Sequence, residues 1–130
     1  MDGISHAFDS RANGYGRGEG SGCLVLRRAE DAKEAGNAIR AIIRNTGTNH
    51  CGRSQGGITV PSQKAQAELI RDVYASAGLD PRETAFVECH GTGTNKGDPI
   101  EARSIAYSFD APSLAVDKPL YIGSAKSNFG

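Results

Sequence analysis

The chain has 130 residues, and its 15 Lys and Arg balance its 15 Asp and Glu, so the formal net charge is zero. That balance leaves no electrostatic footprint for nucleic acid or for an anionic membrane surface. The length fits one domain or a piece of one, 38% hydrophobic residues suffice for a core, and no apolar run approaches the ~20 residues of a membrane helix.

The N-terminus lacks the basic-then-apolar pattern of a secretion signal. The 17 glycines follow no three-residue period and so point to turns. Cys23, Cys51 and Cys89 are odd in number and far apart. This argues against a disulfide framework and for a reducing compartment, the cytoplasm. The default expectation for all three is a small buried hydrophobe.

Residues 1–12 show no periodicity and read as loop. In residues 13–22, Gly14, Gly16, Gly18, Gly20 and Gly22 alternate strictly. No register gives G-x-G-x-x-G and no Gly-Lys-Ser/Thr occurs, so a phosphate cradle is not indicated. A tight loop entering a strand is expected, with Arg17 and Glu19 as an exposed pair of little energetic weight. Residues 23–26 form a continuous apolar run, suited to a strand buried on both faces.

Residues 28–35 are a short helix candidate stopped by Gly36. Residues 38–48 read as a longer strand with Ile39, Ile42 and Ile43 as apolar positions. Residues 47–61 are loop. Residues 62–77 give the clearest helix, with Ala65, Leu69, Ile70, Val73, Tyr74 and Ala77 on one face and Gly78 as C-cap. A turn with Asp80-Pro81 follows. Residues 86–89 read as a strand.

A helix is expected from Asp98 to about Phe109. Asp98 is its N-cap candidate, Pro99 its first residue and Glu101 its capping-box acid. Residues 111–119 are a connector. Residues 120–123 form a last strand that delivers Lys126 beyond its end. Alternation of strand and helix indicates α/β architecture, and no internal repeat is present.

His90 therefore stands at the C-terminal end of a strand, where open α/β sheets place their chemistry. Gly91, Gly93 and Gly97 permit a sharp turn after it. A Cys89–His90 dyad is not expected, because strand neighbours point to opposite faces. A metal module using His50, Cys51, Cys89 and His90 is disfavoured, because both pairs are adjacent residues without ligand spacing.

Four stretches in series carry a resemblance. They are Phe8-Asp9 with Gly14-Tyr15-Gly16-Arg17-Gly18-Glu19-Gly20; Asn49-His50-Cys51-Gly52-Arg53-Ser54-Gln55-Gly56; Glu88-Cys89-His90-Gly91-Thr92-Gly93-Thr94 with Gly97-Asp98-Pro99-Ile100-Glu101; and Gly123-Ser124-Ala125-Lys126-Ser127-Asn128-Phe129-Gly130. Together they resemble the ketosynthase (β-ketoacyl synthase) domain of type I polyketide synthases, leaning towards the fungal reducing type. The resemblance implies a thiolase-like α/β fold of stacked αβα halves, here incomplete, with residues 1–130 as a partial ketosynthase domain. It also implies a homodimer in the parent enzyme, with the loop at 47–61 near the interface and the active-site entrance.

The implied reaction is a decarboxylative Claisen condensation of acyl and malonyl thioesters borne on an acyl carrier protein domain. In this reading His90 donates an N–H to the extender's thioester oxygen, and Lys126 is a fixed cation ordering the site. Both are expected at one cavity. Thr92 and Thr94 match positions that hydrogen-bond the carrier's phosphopantetheine arm, and the domain holds no cofactor or metal of its own. The family's nucleophilic cysteine is expected upstream of residue 1 and its second histidine just after Gly130, so this piece alone is expected to be inactive. A ketosynthase of fatty-acid synthesis and an inert folding or dimer-interface fragment are the rival readings.

Overall fold

The computed structural model describes residues 3–52, 57, 60–109 and 119–130. The expected connector at 111–119 and Arg53 to Gly56 of the second motif lie mostly or wholly outside these residues. Helix α1 is Ala29–Glu34 and helix α2 is Gln63–Ser76. The two end alike. Gly36 (φ +64°) and Gly78 (φ +62°) take the left-handed conformation that reverses the chain. Asn37 N–H then donates to Ala32 O and Leu79 N–H to Tyr74 O, which satisfies carbonyls left open at a helix terminus. At the other end of α2, Ser62 Oγ accepts from Ala65 N–H at 3.2 Å.

A 3-10 turn, Pro81–Glu83, leads to strand β1, Phe86–Glu88. Helix α3 is Gly97–Ser108, strand β2 is Tyr121–Gly123, and helix α4 is Lys126–Phe129. β1 and β2 pair in parallel, with Phe86 opposite Tyr121, Val87 opposite Ile122 and Glu88 opposite Gly123. Parallel neighbours need a crossover, and α3 lies between them in sequence, a βαβ arrangement.

α3 packs on α2 through small side chains. Ser104 Oγ donates to Ile100 O at 2.8 Å and lies 3.2 Å from Gln63 O on α2. Ser108 Oγ stands likewise between Ser104 O and Ala67 O. Ala67 is 2% exposed at this contact. Below it, Cys89, Ile105 and Phe109 form the buried core, flanked by Phe8, Ile70, Tyr74, Val87 and Leu120. The Tyr74 and Phe109 rings meet edge to face at 5.3 Å.

Two expected strands are absent among the described residues. Residues 23–26 have no ladder partner, and Leu24, Val25 and Leu26 are 73–93% exposed rather than buried. Residues 38–48 are also without strand pairing, and Ile42 and Ile43 face solvent. A strand is defined by a neighbour, and apolar character supplies none.

The end of the second segment lies along α2 instead. Asn45 Nδ2 donates to Val73 O at 2.9 Å, Asn49 Nδ2 donates to Ala65 O at 2.7 Å, and Gly47 sits against Leu69 and Val73. Arg17 lies over the Tyr15 ring, 5.7 Å from its centre, and makes no ion pair with Glu19. Cys23 and Cys51 are exposed, contrary to expectation, and only Cys89 is buried. No helix among the described residues is long and apolar enough to cross a membrane.

Candidate functional site

β1 ends at Glu88, and Cys89 N–H still donates to Gly123 O at 2.8 Å, so the two strands remain joined up to His90. The chain then turns through Gly91 (φ +42°) and Gly93 (φ +69°). A side chain on Gly91 would strike Ser124 and the Phe8 ring. Gly93 O accepts from Gly14 N–H at 2.8 Å, which docks the N-terminal glycine-rich loop on this turn.

Two carboxylates hold the turn and a third holds the loop beside it, each through main-chain N–H groups. Glu101 Oε1 accepts from His90 N–H at 2.7 Å and its Oε2 from Gly91 N–H at 2.9 Å. Asp98 is 4% exposed. Its Oδ2 accepts from Phe8 N–H at 2.8 Å and its Oδ1 from Thr94 N–H at 3.2 Å. Glu88 Oε1 accepts from Ala125 N–H at 2.7 Å, which holds the loop after β2. Charge-assisted bonds of this kind are the stronger class.

These bonds correct the expected helix start. Asp98 is not the N-cap and Glu101 closes no capping box: α3 begins at Gly97 after Lys96, whose side chain makes no cap. Thr94 performs that role. Its Oγ1 accepts from Gly97 N–H at 3.2 Å, and Asp98 answers by accepting from Thr94 N–H. The reciprocal logic of the capping box is present, moved upstream along the chain. Glu101 is thereby free to clamp the histidine turn. Phe8, at φ +58°, stands in a region costly for an aromatic residue, held there by the Asp98 bond.

Thr92 Oγ1 and Thr94 Oγ1 are 3.2 Å apart. With His90, Gln66, Pro61 and Glu101 they line a cavity of about 350 Å³. His90 itself is exposed. Ser124 Oγ reaches His90 O at 3.4 Å and accepts from Lys126 N–H at 3.3 Å, which brings the two main-chain segments together. The Lys126 side chain, however, does not line the cavity, contrary to expectation. The cavity is walled by the turn after β1 and the starts of α2 and α3, whereas Lys126 opens α4, beyond the turn after β2.

Cys89 faces the core, away from the cavity, and donates from Sγ to Val87 O at 3.4 Å. Burial, and then the nearby charge of Glu101, push its thiol up to about 11. It is therefore no nucleophile at neutral pH. Iodoacetamide at pH 8, followed by peptide mass mapping, is expected to alkylate Cys23 and Cys51 and to spare Cys89 until the chain is unfolded. The unfolded thiol loses its proton near 9.0 and the folded one near 11. The stability this thiol confers is thus complete below pH 9 and falls as pH rises through 11. Among the described residues no group of three His, Cys, Asp or Glu is placed to hold a metal ion.

Sequence and structure comparisons place this geometry in a family. Residues 40–130 match the model of the beta-ketoacyl synthase C-terminal domain, and residues 1–32 match that of the N-terminal domain. The chain is 57% identical over 129 residues to the highly reducing polyketide synthase NEC1 of Pyricularia oryzae. It is 54% identical over 129 residues to the highly reducing polyketide synthase azaB of Aspergillus niger. Each match covers 99% of this chain and 5% of the relative, so the chain spans about one-twentieth of their length.

Among solved structures, the ketosynthase from module 6 of the bacillaene synthase of Bacillus subtilis 168 superposes with a TM-score of 0.88 at 43% identity. Ketosynthase twelve of the bacillaene polyketide synthase in Bacillus amyloliquefaciens superposes with a TM-score of 0.92 at 36% identity. Both cover 99% of this chain and 23% of the solved chain. The chain thus belongs to the β-ketoacyl synthase family and carries part of its thiolase-like fold.

Proposed function

We propose that this chain is the part of a polyketide-synthase ketosynthase that receives the carrier-borne thioester and polarises it. One observation carries the reading. An imidazole at a strand end lines a cavity with two hydroxyls, on a turn whose main chain is fixed by a carboxylate. A cavity of this size suits a slender ligand. Hydroxyls that both donate and accept suit the amides of a phosphopantetheine arm. The arm belongs to an acyl carrier protein domain, and when bound it brings an acyl or malonyl thioester to the site.

The residues of this chain then have separate tasks. Thr92 and Thr94 hold the arm. His90 gives an N–H to the extender's thioester oxygen as that oxygen gains negative charge. A preformed donor of this kind typically contributes ~3–4 kcal/mol of transition-state stabilisation. Lys126 adds a fixed positive charge that orders the neighbouring loop. In the whole enzyme the extender's bond to carbon dioxide breaks. The freed electron pair forms the new carbon–carbon bond at the carbonyl carbon of the acyl thioester, whose carbon–sulfur bond breaks, and the thiolate that bore the acyl group leaves.

Identity above half with highly reducing polyketide synthases favours polyketide over fatty-acid synthesis. The reading places the parent enzyme in the cytoplasm as a homodimer. The three free cysteines accord with a reducing compartment, and the apolar residues Leu24 to Leu26 offer surface for further chain to cover.

Two measurements on the 130-residue chain test the proposal. Titration with D-pantetheine, followed by NMR, is expected to shift His90, Thr92 and Thr94 before other residues. Scattered shifts that miss the turn after β1 would refute the arm site. Incubation with a radiolabelled acyl thioester is expected to leave all three cysteines unlabelled. Saturable acylation of one of them would show that the chain holds its own nucleophile and would overturn this division of labour.

A further inference from the structure

We propose that Glu88 is a positioning residue for Lys126: by tying the N-cap of α4 to the end of β1, it sets where the lysine's charge stands relative to His90. The inference rests on the roles given to His90 and Lys126 above. Glu88 itself lies outside the cavity that His90 lines.

Nothing holds the lysine at its charged end. Among the described residues its ammonium makes no ion pair. Its place is therefore inherited from its main chain, and α4 is a weak element by itself. The helix has four residues, no acid in its first turn, and an N-cap, Ala125, whose side chain makes no capping bond. A helix start of this kind must find its acceptor elsewhere.

Glu88 supplies that acceptor from 37 residues away, taking Ala125 N–H on its Oε1 at 2.7 Å. The distance is short for a main-chain donor and typical of a charge-assisted bond. The strand register makes the reach possible. Glu88 stands opposite Gly123. Alternation along β1 turns both away from the core side that Val87 faces, and Gly123 has no side chain to stand between Glu88 and the turn.

A second tie has the same two ends. Ser124 Oγ donates to His90 O and accepts from Lys126 N–H, at 3.4 and 3.3 Å. On the far side of the histidine turn, Glu101 accepts from His90 N–H. His90 is thus held from α3 and the start of α4 from β1, so main-chain bonds connect the two groups. A displacement of ~1 Å in such a frame can slow a reaction up to about a hundredfold.

The test uses the whole synthase that contains these residues. The synthase is loaded with its acyl group, and malonyl thioester is supplied on a separate carrier domain, with the condensed product read by mass spectrometry. Glu88→Ala and Glu88→Asp are expected to lower kcat about tenfold or more, with KM for the malonyl carrier within about twofold. Glu88→Gln, which keeps the reach and loses the charge, should keep most of the rate. With Lys126→Met already in place, Glu88→Ala should cost little further, because residues that act as a unit are not additive.

A parental kcat for Glu88→Ala overturns the inference, as does a rise in KM with kcat unchanged. Higher activity of Glu88→Asp than of Glu88→Gln would make Glu88 a counter-charge and not a tether. Full additivity with Lys126→Met would show that Glu88 does not act through the lysine. Both results reject the proposal and leave the ketosynthase reading standing. Absence of condensation by the unaltered synthase overturns that reading and this inference together. Should Glu88→Ala not fold, Glu88→Asp decides: a lowered kcat at unchanged KM supports the tether, and a parental kcat rejects it.

Discussion

Asp98→Ala is expected to lower the unfolding free energy by about 2–5 kcal/mol, among the largest losses any single side chain of this protein could cause. Asp98 is buried, and its two oxygens satisfy N–H groups of Phe8 and Thr94, residues that lie far apart in the sequence. Alanine leaves both N–H groups without an acceptor where water does not readily replace it, at about 1–3 kcal/mol each. It also releases Phe8 from its left-handed conformation, so the N-terminal loop should detach from the histidine turn.

A loss of this size is a large share of the ~5–15 kcal/mol that holds a typical domain together. Urea denaturation followed by circular dichroism measures it. Asp98→Asn keeps one carbonyl oxygen and should lose about half as much. Equal midpoints for Asp98→Ala and the parent chain would show that the carboxylate ties nothing together.

Gly93→Ala is the second change, and its cause is steric. Gly93 has φ +69°, and a Cβ built there falls 2.8 Å from Gly14 O and 2.9 Å from His6 N. Both are main-chain atoms that cannot rotate aside. A left-handed alanine costs about 1–2 kcal/mol, and forcing apart a packed contact adds about 1–3 kcal/mol. The bond from Gly14 N–H to Gly93 O should break with it.

Gly36→Ala separates the two contributions. Gly36 has a similar φ of +64° and nothing within 4 Å of the added carbon. It should therefore lose the conformational part alone. If the two variants denature at the same urea concentration, the docking of the glycine-rich loop on the histidine turn contributes nothing.

Much of the local structure is legible in the chain. Ser62 before α2 and Gly78 after it bound that helix as their types require. The apolar face with Leu69, Ile70, Val73 and Tyr74 lies against the neighbouring chain as periodicity indicates. The short run ending in Cys89-His90 is a strand followed by a glycine turn. Local rules misassign the acids of that stretch. They offer Asp98 and Glu101 only to the nearest helix start, whereas Asp98 reaches back to Phe8 and Glu101 to His90. The signal in the sequence is an excess of acids, since α3 needs one cap and has Thr94 to supply it.

The apolar runs at 23–26 and 38–48 show the other limit. Their residue types favour strands, yet the backbone there has no neighbouring ladder.

What the sequence determined by itself is what depends on residues within a turn or two of each other. Caps, glycine turns, helix periodicity and the four motifs that mark the family are of that kind. What only the tertiary structure decided is which distant main-chain groups each carboxylate holds, that Lys126 stands outside the cavity lined by His90, and which apolar segments find a partner. The physical reason is that hydrogen bonds and burial are satisfied in space. A side chain takes the nearest open donor or surface after the chain has folded, and sequence distance does not fix which one that is.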